Sequence, residues 1–123
     1  MIINISAKTG EGKTKQLIEM CANEIIRNNN IKVIFVSTDK DCSEWTDYLR
    51  AICGDKYNNN FRPMYIQDTT NMIEILPIID RPPYDVIALD GYILSGAQLR
   101  YLHSQANNGH GKVIYTTQMS DIY

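Results

Sequence analysis

Residues 7–14 read Ala-Lys-Thr-Gly-Glu-Gly-Lys-Thr. The spacing is that of Gly-x-x-x-x-Gly-Lys-[Ser/Thr], with Ala7 in the first glycine position. Such a stretch suits a polyphosphate. Gly10 and Gly12 let the backbone bend until successive N–H groups converge on phosphate oxygens. A helix beginning near Lys13 would add the partial positive charge of its N-terminus. Lys13 would reach the β and γ phosphates, and the Thr14 hydroxyl would ligate magnesium. The candidate nucleotide-binding residues are therefore Ala7, Lys8, Thr9, Gly10, Glu11, Gly12, Lys13, Thr14 and Lys15. For Lys8 and Lys15 a solvated lysine is the weightier reading. An accidental glycine-rich turn is the competing reading of the whole motif. It leaves unexplained the apolar run directly before and the amphipathic stretch directly after.

A carboxylate is expected to share the metal with Thr14. Asp90 closes the apolar run Val86-Ile87-Ala88-Leu89, so it would lie at the strand ends where open α/β sheets bind ligands. The competing reading is an aspartate that merely begins an Asp-Gly turn. Asp85 starts the same run and belongs to the opposite edge, where a structural role is expected. Hydrolysis further needs a group that orients or deprotonates water. Asp39 and Gln118 each follow an apolar run and fall on the Asp90 edge. For both, an ordinary polar loop residue is an equal alternative. Asp41, nearby, reads as a helix cap.

These residues need an alternating scaffold to hold them. Ile2 to Ser6 reads as a strand and Thr14 to Arg27 as a helix, with Leu17, Ile18, Cys21, Ile25 and Ile26 at helical spacing. Ile31 to Ser37 is a nearly continuous apolar run, as in a strand covered on both faces. Asp41 with Glu44 three residues on resembles a capping box for a helix ending near Ile52. Pro63 to Gln67 is expected as a third strand, and a helix from Thr69 or Thr70 to Ile79 follows, disturbed by Pro77. Asp85 to Leu89 is the fourth strand. Ser95 caps a helix from Gly96 to about Asn107, and Lys112 to Thr116 is the fifth strand. The alternation predicts an α/β fold with a parallel sheet of about five strands and helices on both faces.

The chain has 123 residues, 44% hydrophobic and 21% charged, which fits one globular domain over 1–123. A formal net charge of −2 gives no electrostatic footprint for nucleic acid, so DNA is possible only through a local patch. Three cysteines without a Cys-x-x-Cys pair, and two histidines, fit reduced thiols and disfavour a structural zinc site. No basic-then-apolar leader and no membrane-length apolar run is present, so a cytoplasmic protein with no membrane partner is expected.

In their order, these motifs resemble the RecA-type P-loop ATPase core, and most closely the ATPase domain of DnaB-type replicative helicases. Ser37-Thr38-Asp39 resembles the strand end that carries the family's catalytic glutamate. Met64 to Thr70 is similar to its next strand and helix start. Asp85 to Tyr92 resembles its magnesium-site strand, and Val113 to Gln118 its strand ending in a γ-phosphate-sensing glutamine. The resemblance implies that the fifth strand lies between the first and fourth. It also implies ATP and Mg2+ as ligands, Lys13, Asp39 and Gln118 as catalytic residues, and Thr14 and Asp90 at the metal. Asp39 stands where the family has glutamate, and the sequence after Gln118 holds no arginine finger. Turnover is thus expected to be slow, or to depend on a homo-oligomer or a helicase or ATPase partner that supplies the arginine. A small nucleoside or nucleotide kinase is the alternative enzyme, although Arg50, Arg62, Arg81 and Arg100 form no lid-like cluster. A non-catalytic, helicase-interacting module is the third reading, with Tyr92, Tyr101, Tyr115 and Tyr123 as a conceivable interface.

Overall fold

The computed structural model describes residues 2–7, 12–67, 85–92, 95–98, 100–101 and 112–118, with 2–7 and 112–118 as backbone alone. The elements are β1 (Ile2–Ala7), α1 (Lys13–Arg27), β2 (Val33–Ser37), α2 (Trp45–Cys53), β3 (Phe61–Tyr65), β4 (Val86–Asp90) and β5 (Lys112–Gln118). Single 3-10 turns at Cys42–Glu44 and Gly54–Lys56 flank α2. The strands pair in the order β1-β5-β4-β2-β3, every pair parallel.

β2 and β4 are apolar runs buried along their whole length, as strands covered on both faces require. Alternation divides their side chains. Val33, Phe35, Val86 and Ala88 join a core with Leu17, Ile18, Cys21, Ala22 and Ile25 of α1, Leu49 and Cys53 of α2, and Phe61 of β3. The α1 residues fall at i, i+1, i+4, i+5 and i+8, a single stripe. Phe35 stacks on Phe61 across the β2–β3 pair, with centroids 5.6 Å apart. Tyr48 of α2 donates its hydroxyl proton to Glu19 of α1 at 3.1 Å and fixes the two helices side by side. Ile34, Val36, Ile87 and Leu89 point to the other face and are buried as well.

The expected fold class needs correcting. A five-stranded, RecA-like P-loop domain with helices on both faces is not what the described residues establish. The part of the sheet with described side chains has three parallel strands, β4-β2-β3, and α1 and α2 both pack on one face of it. β1 and β5 add to that sheet through backbone pairing. The architecture is that of a small α/β domain. Helical periodicity reveals that a helix has one apolar stripe; it does not reveal which face of the sheet receives that stripe, and the two-faced layering was inferred from alternation alone. The helix expected from Thr69 or Thr70 to Ile79 lies outside the described residues. A helical turn does begin at Gly96. The Gln98 amide donates to Ser95 Oγ at 3.2 Å while the Ser95 amide donates to Gln98 Oε1 at 2.8 Å, a reciprocal cap.

The N-terminal ends of the strands are tied by side chains. Asp85 Oδ2 accepts the Lys32 amide proton at 2.9 Å, the structural role expected of Asp85. Buried Asn60 donates to the carbonyls of Asn29 at 2.9 Å and Ile31 at 2.6 Å. Among the described residues, no helix is long and apolar enough to cross a membrane.

Candidate functional site

The opposite, C-terminal ends of the strands carry the groups with chemistry. β1 ends at Ala7 in register with Gln118 of β5, and β2 ends at Ser37 in register with Asp90 of β4 and Tyr65 of β3. Gln118 is thus the last residue of β5 rather than a residue beyond a strand that ends at Thr116.

Gly12 stands immediately before α1 with φ 74° and ψ 39°. That left-handed conformation disfavours any side chain, although among the described residues a methyl group there would meet nothing closer than Lys15 Cβ at 4.0 Å. The backbone angle is thus reason enough for the glycine. The Gly12 carbonyl accepts the Gln16 amide at 3.0 Å and opens the helix. The first turn of α1 holds no acidic residue. Its amide dipoles and the Lys13 and Lys15 side chains bring positive charge to this end. Lys13 is half-buried and Lys15 exposed. Lys8, Thr9, Gly10 and Glu11 lie outside the described residues, and of Ala7 only the backbone is described.

Thr14 and Asp90, 76 positions apart in sequence, meet. Thr14 Oγ1 donates to Asp90 Oδ2 at 2.9 Å. The same carboxylate oxygen lies 3.4 Å from Ser37 Oγ. Asp90 is 7% exposed, so its carboxylate is held by the half-buried Thr14 and buried Ser37 hydroxyls rather than freely solvated. Magnesium takes one or two carboxylates, hydroxyl and phosphate oxygens, and keeps several waters. Thr14 and Asp90 fit that donor set. Among the described residues, no group of three or more His, Cys, Asp or Glu converges; an ion carried by phosphates does not need one.

The backbone next to Asp90 is fixed as tightly as its side chain. Gly91 has φ 85°, and a Cβ there would collide with Thr38 Oγ1. Thr38 donates its amide proton to the Asp90 carbonyl at 3.2 Å. Tyr92 is buried, and its hydroxyl donates to the Ile66 carbonyl at 2.8 Å. This tyrosine serves packing, not a surface interface.

Asp39 reaches the same edge and is exposed. Its Oδ1 accepts the Asp41 amide at 2.9 Å, and its carbonyl accepts the Cys42 amide at 3.1 Å. The turn into α2 is therefore organised by Asp39. Asp41, expected as the capping side chain, makes no such hydrogen bond, and Glu44 completes no capping box. The Cys42 thiol is pushed above its usual range, chiefly by burial and next by the Asp39 charge. Two contributors went unassigned in the sequence, Ser37 and Gly91. Ser37 ends a five-residue apolar strand, as Asp90 does, and that parallel was the available signal.

No protein-family model matches the chain, and a search of the curated proteins gives no match.

Proposed function

We propose that the chain binds a nucleoside triphosphate, ATP in the first instance, together with magnesium, and turns it over slowly or only with a partner. One observation carries the reading: the Thr14 hydroxyl at the start of α1 is hydrogen-bonded to the Asp90 carboxylate at the end of β4. The motif that begins at Ala7 and the acid expected to share its metal were read from separate parts of the sequence. Their contact supports a common ligand. The backbone angle of Gly12 and the N-terminus of α1, whose first turn holds no acidic residue, support a polyanion as that ligand. In this reading Lys13 neutralises phosphate charge, and Thr14 and Asp90 would hold the magnesium ion, which would supply charge stabilisation at the terminal phosphates. The resemblance to DnaB-type ATPase domains supports a place in DNA metabolism, with a second subunit or an ATPase partner donating an arginine to the site.

A second reading, nucleotide binding without hydrolysis, is favoured by Asp39. Its Oδ1 is engaged by the Asp41 amide, which leaves only Oδ2 to address a water molecule.

The test is isothermal calorimetry with ATP, GTP and their diphosphates at millimolar magnesium, followed by phosphate release with and without DNA. Lys13→Ala removes a charged hydrogen-bond partner, worth about 1.5–3 kcal/mol. It should weaken ATP binding by roughly 10- to 150-fold while leaving the unfolding midpoint in place. No uptake of any of these nucleotides by the wild-type chain ends the proposal.

A further inference from the structure

Resting on the nucleotide reading, we infer that Ser37 is a positioning residue that couples the metal-side carboxylate of Asp90 to the loop carrying Asp39. Its side chain is fully buried. Its Oγ accepts the Asp39 amide proton at 3.0 Å and lies 3.4 Å from Asp90 Oδ2. The polarity of both contacts is fixed by chemistry. An amide can only donate, so the hydroxyl accepts there; its own single proton is left for the carboxylate oxygen, which accepts. The serine rotor thus has one arrangement that satisfies both neighbours. Asp90 Oδ2 takes protons from Ser37 and Thr14 together, which turns the Thr14 lone pairs away from the carboxylate. Ser37 has no line to a ligand of its own. It acts through Asp90 on one side and, through the backbone, on Asp39 on the other.

The competing account is a serine that only shapes the turn at residues 37–39. The two differ in what a substitution moves. Losing a partner that orients a metal-side group costs on the order of 10- to 100-fold in metal affinity. Ser37→Ala should therefore raise the magnesium concentration for half-maximal ATP binding by about that range. ATP binding in EDTA should stay as in the wild type. Ser37→Thr keeps the hydroxyl and should restore the magnesium dependence. Ser37→Cys keeps the side-chain size with a weaker donor, and should repeat the loss if the alanine variant does not fold. Without any ligand, the Asp39 amide should exchange with solvent faster in Ser37→Ala and Ser37→Cys than in the wild type and Ser37→Thr. Wild-type magnesium dependence in the alanine or cysteine variant overturns the inference while ATP binding stands. Equal weakening with and without magnesium also overturns it, in favour of a purely structural serine. A wild-type chain that binds no nucleotide removes the parent reading and this one with it.

Discussion

Replacing Gly91 with alanine isolates the geometry that aims Asp90. Two separate costs arise. The residue sits at φ 85°, in left-handed territory where a Cβ costs ~1–2 kcal/mol. The added carbon would also overlap Thr38 Oγ1 and stand 3.3 Å from Thr38 Cβ and 3.5 Å from Thr38 Cγ2. Rotation about the Thr38 Cα–Cβ bond can bring its methyl group or its hydrogen to that position, but the Thr38 Cβ itself stays 3.3 Å away, so the approach remains tight. Overpacking of that kind costs ~1–3 kcal/mol, so the total should be about 2–5 kcal/mol. Urea unfolding, followed by far-UV circular dichroism and by the fluorescence of the single tryptophan, Trp45, measures the loss. A double-mutant cycle separates the parts. In a Thr38→Ala background the collision with the hydroxyl and methyl is gone, while the backbone cost and the 3.3 Å approach to the residue-38 Cβ remain, so the coupling should be about 1–3 kcal/mol. A Gly91→Ala penalty within about 0.5 kcal/mol of zero, or one of the same size in both backgrounds, refutes the reasoning.

Two further outcomes follow from groups away from the site. The Cys21 thiol is pushed up from 9.0 to about 12 by burial, with smaller contributions from the Glu24 and Cys53 charges. Above pH 9 the unfolded chain gives up this proton and the folded chain keeps it, so stability should fall with rising pH, by up to ~1.4 kcal/mol per pH unit from this thiol. Cys21→Ala should flatten the fall measured by urea unfolding between pH 9 and 10.5, and an unchanged slope contradicts the assignment. Asn60→Ala strands the Asn29 and Ile31 carbonyls and should cost about 1–3 kcal/mol in the same assay. Asn60→Asp should cost more at pH 7, since it sets a carboxylate against those two acceptors, and the gap to alanine should close in acid.

Strands are legible in this sequence where both faces are covered. β2 and β4 differ from the runs expected by one or two residues at an end, because five consecutive buried positions leave a continuous apolar signal. β2 starts at Val33 rather than Ile31, since the Ile31 amide is spent on the Asn28 carbonyl at 3.3 Å and its own carbonyl on Asn60. β3 was displaced by two residues for a different reason. Pro63, which lacks a donor, reads as a strand start, yet it sits in the middle of β3. An edge strand tolerates proline when the missing N–H would face away from its neighbour, and β3 is at an edge. Edge position is a tertiary fact, invisible to local pattern. The same limit explains the corrected layering: period gives the stripe, and only packing gives the side.

The candidate site divides along similar lines. Thr14 and Asp90 could be singled out because each closes or opens an element whose type is strongly patterned. Ser37 carries only the weaker signal of ending an apolar strand, because its contact with Asp90 comes from register across a pair of strands. Asp39 is the instructive case. Sequence order offered it as the group that addresses water, and Asp41 as the cap; the hydrogen bonds give the local task to Asp39 instead. An Asx turn needs a short side chain that reaches the amide two residues on. Glutamate, one methylene longer, closes that ring poorly and projects further into solvent. An aspartate here therefore does more than fall short of a glutamate's reach: one of its two carboxylate oxygens satisfies the entry to α2 and fixes the side-chain direction. Under the proposed nucleotide reading, only Oδ2 is left to address a water molecule, from a side chain that the turn holds in place, and that is the physical reason to expect binding to outrun hydrolysis.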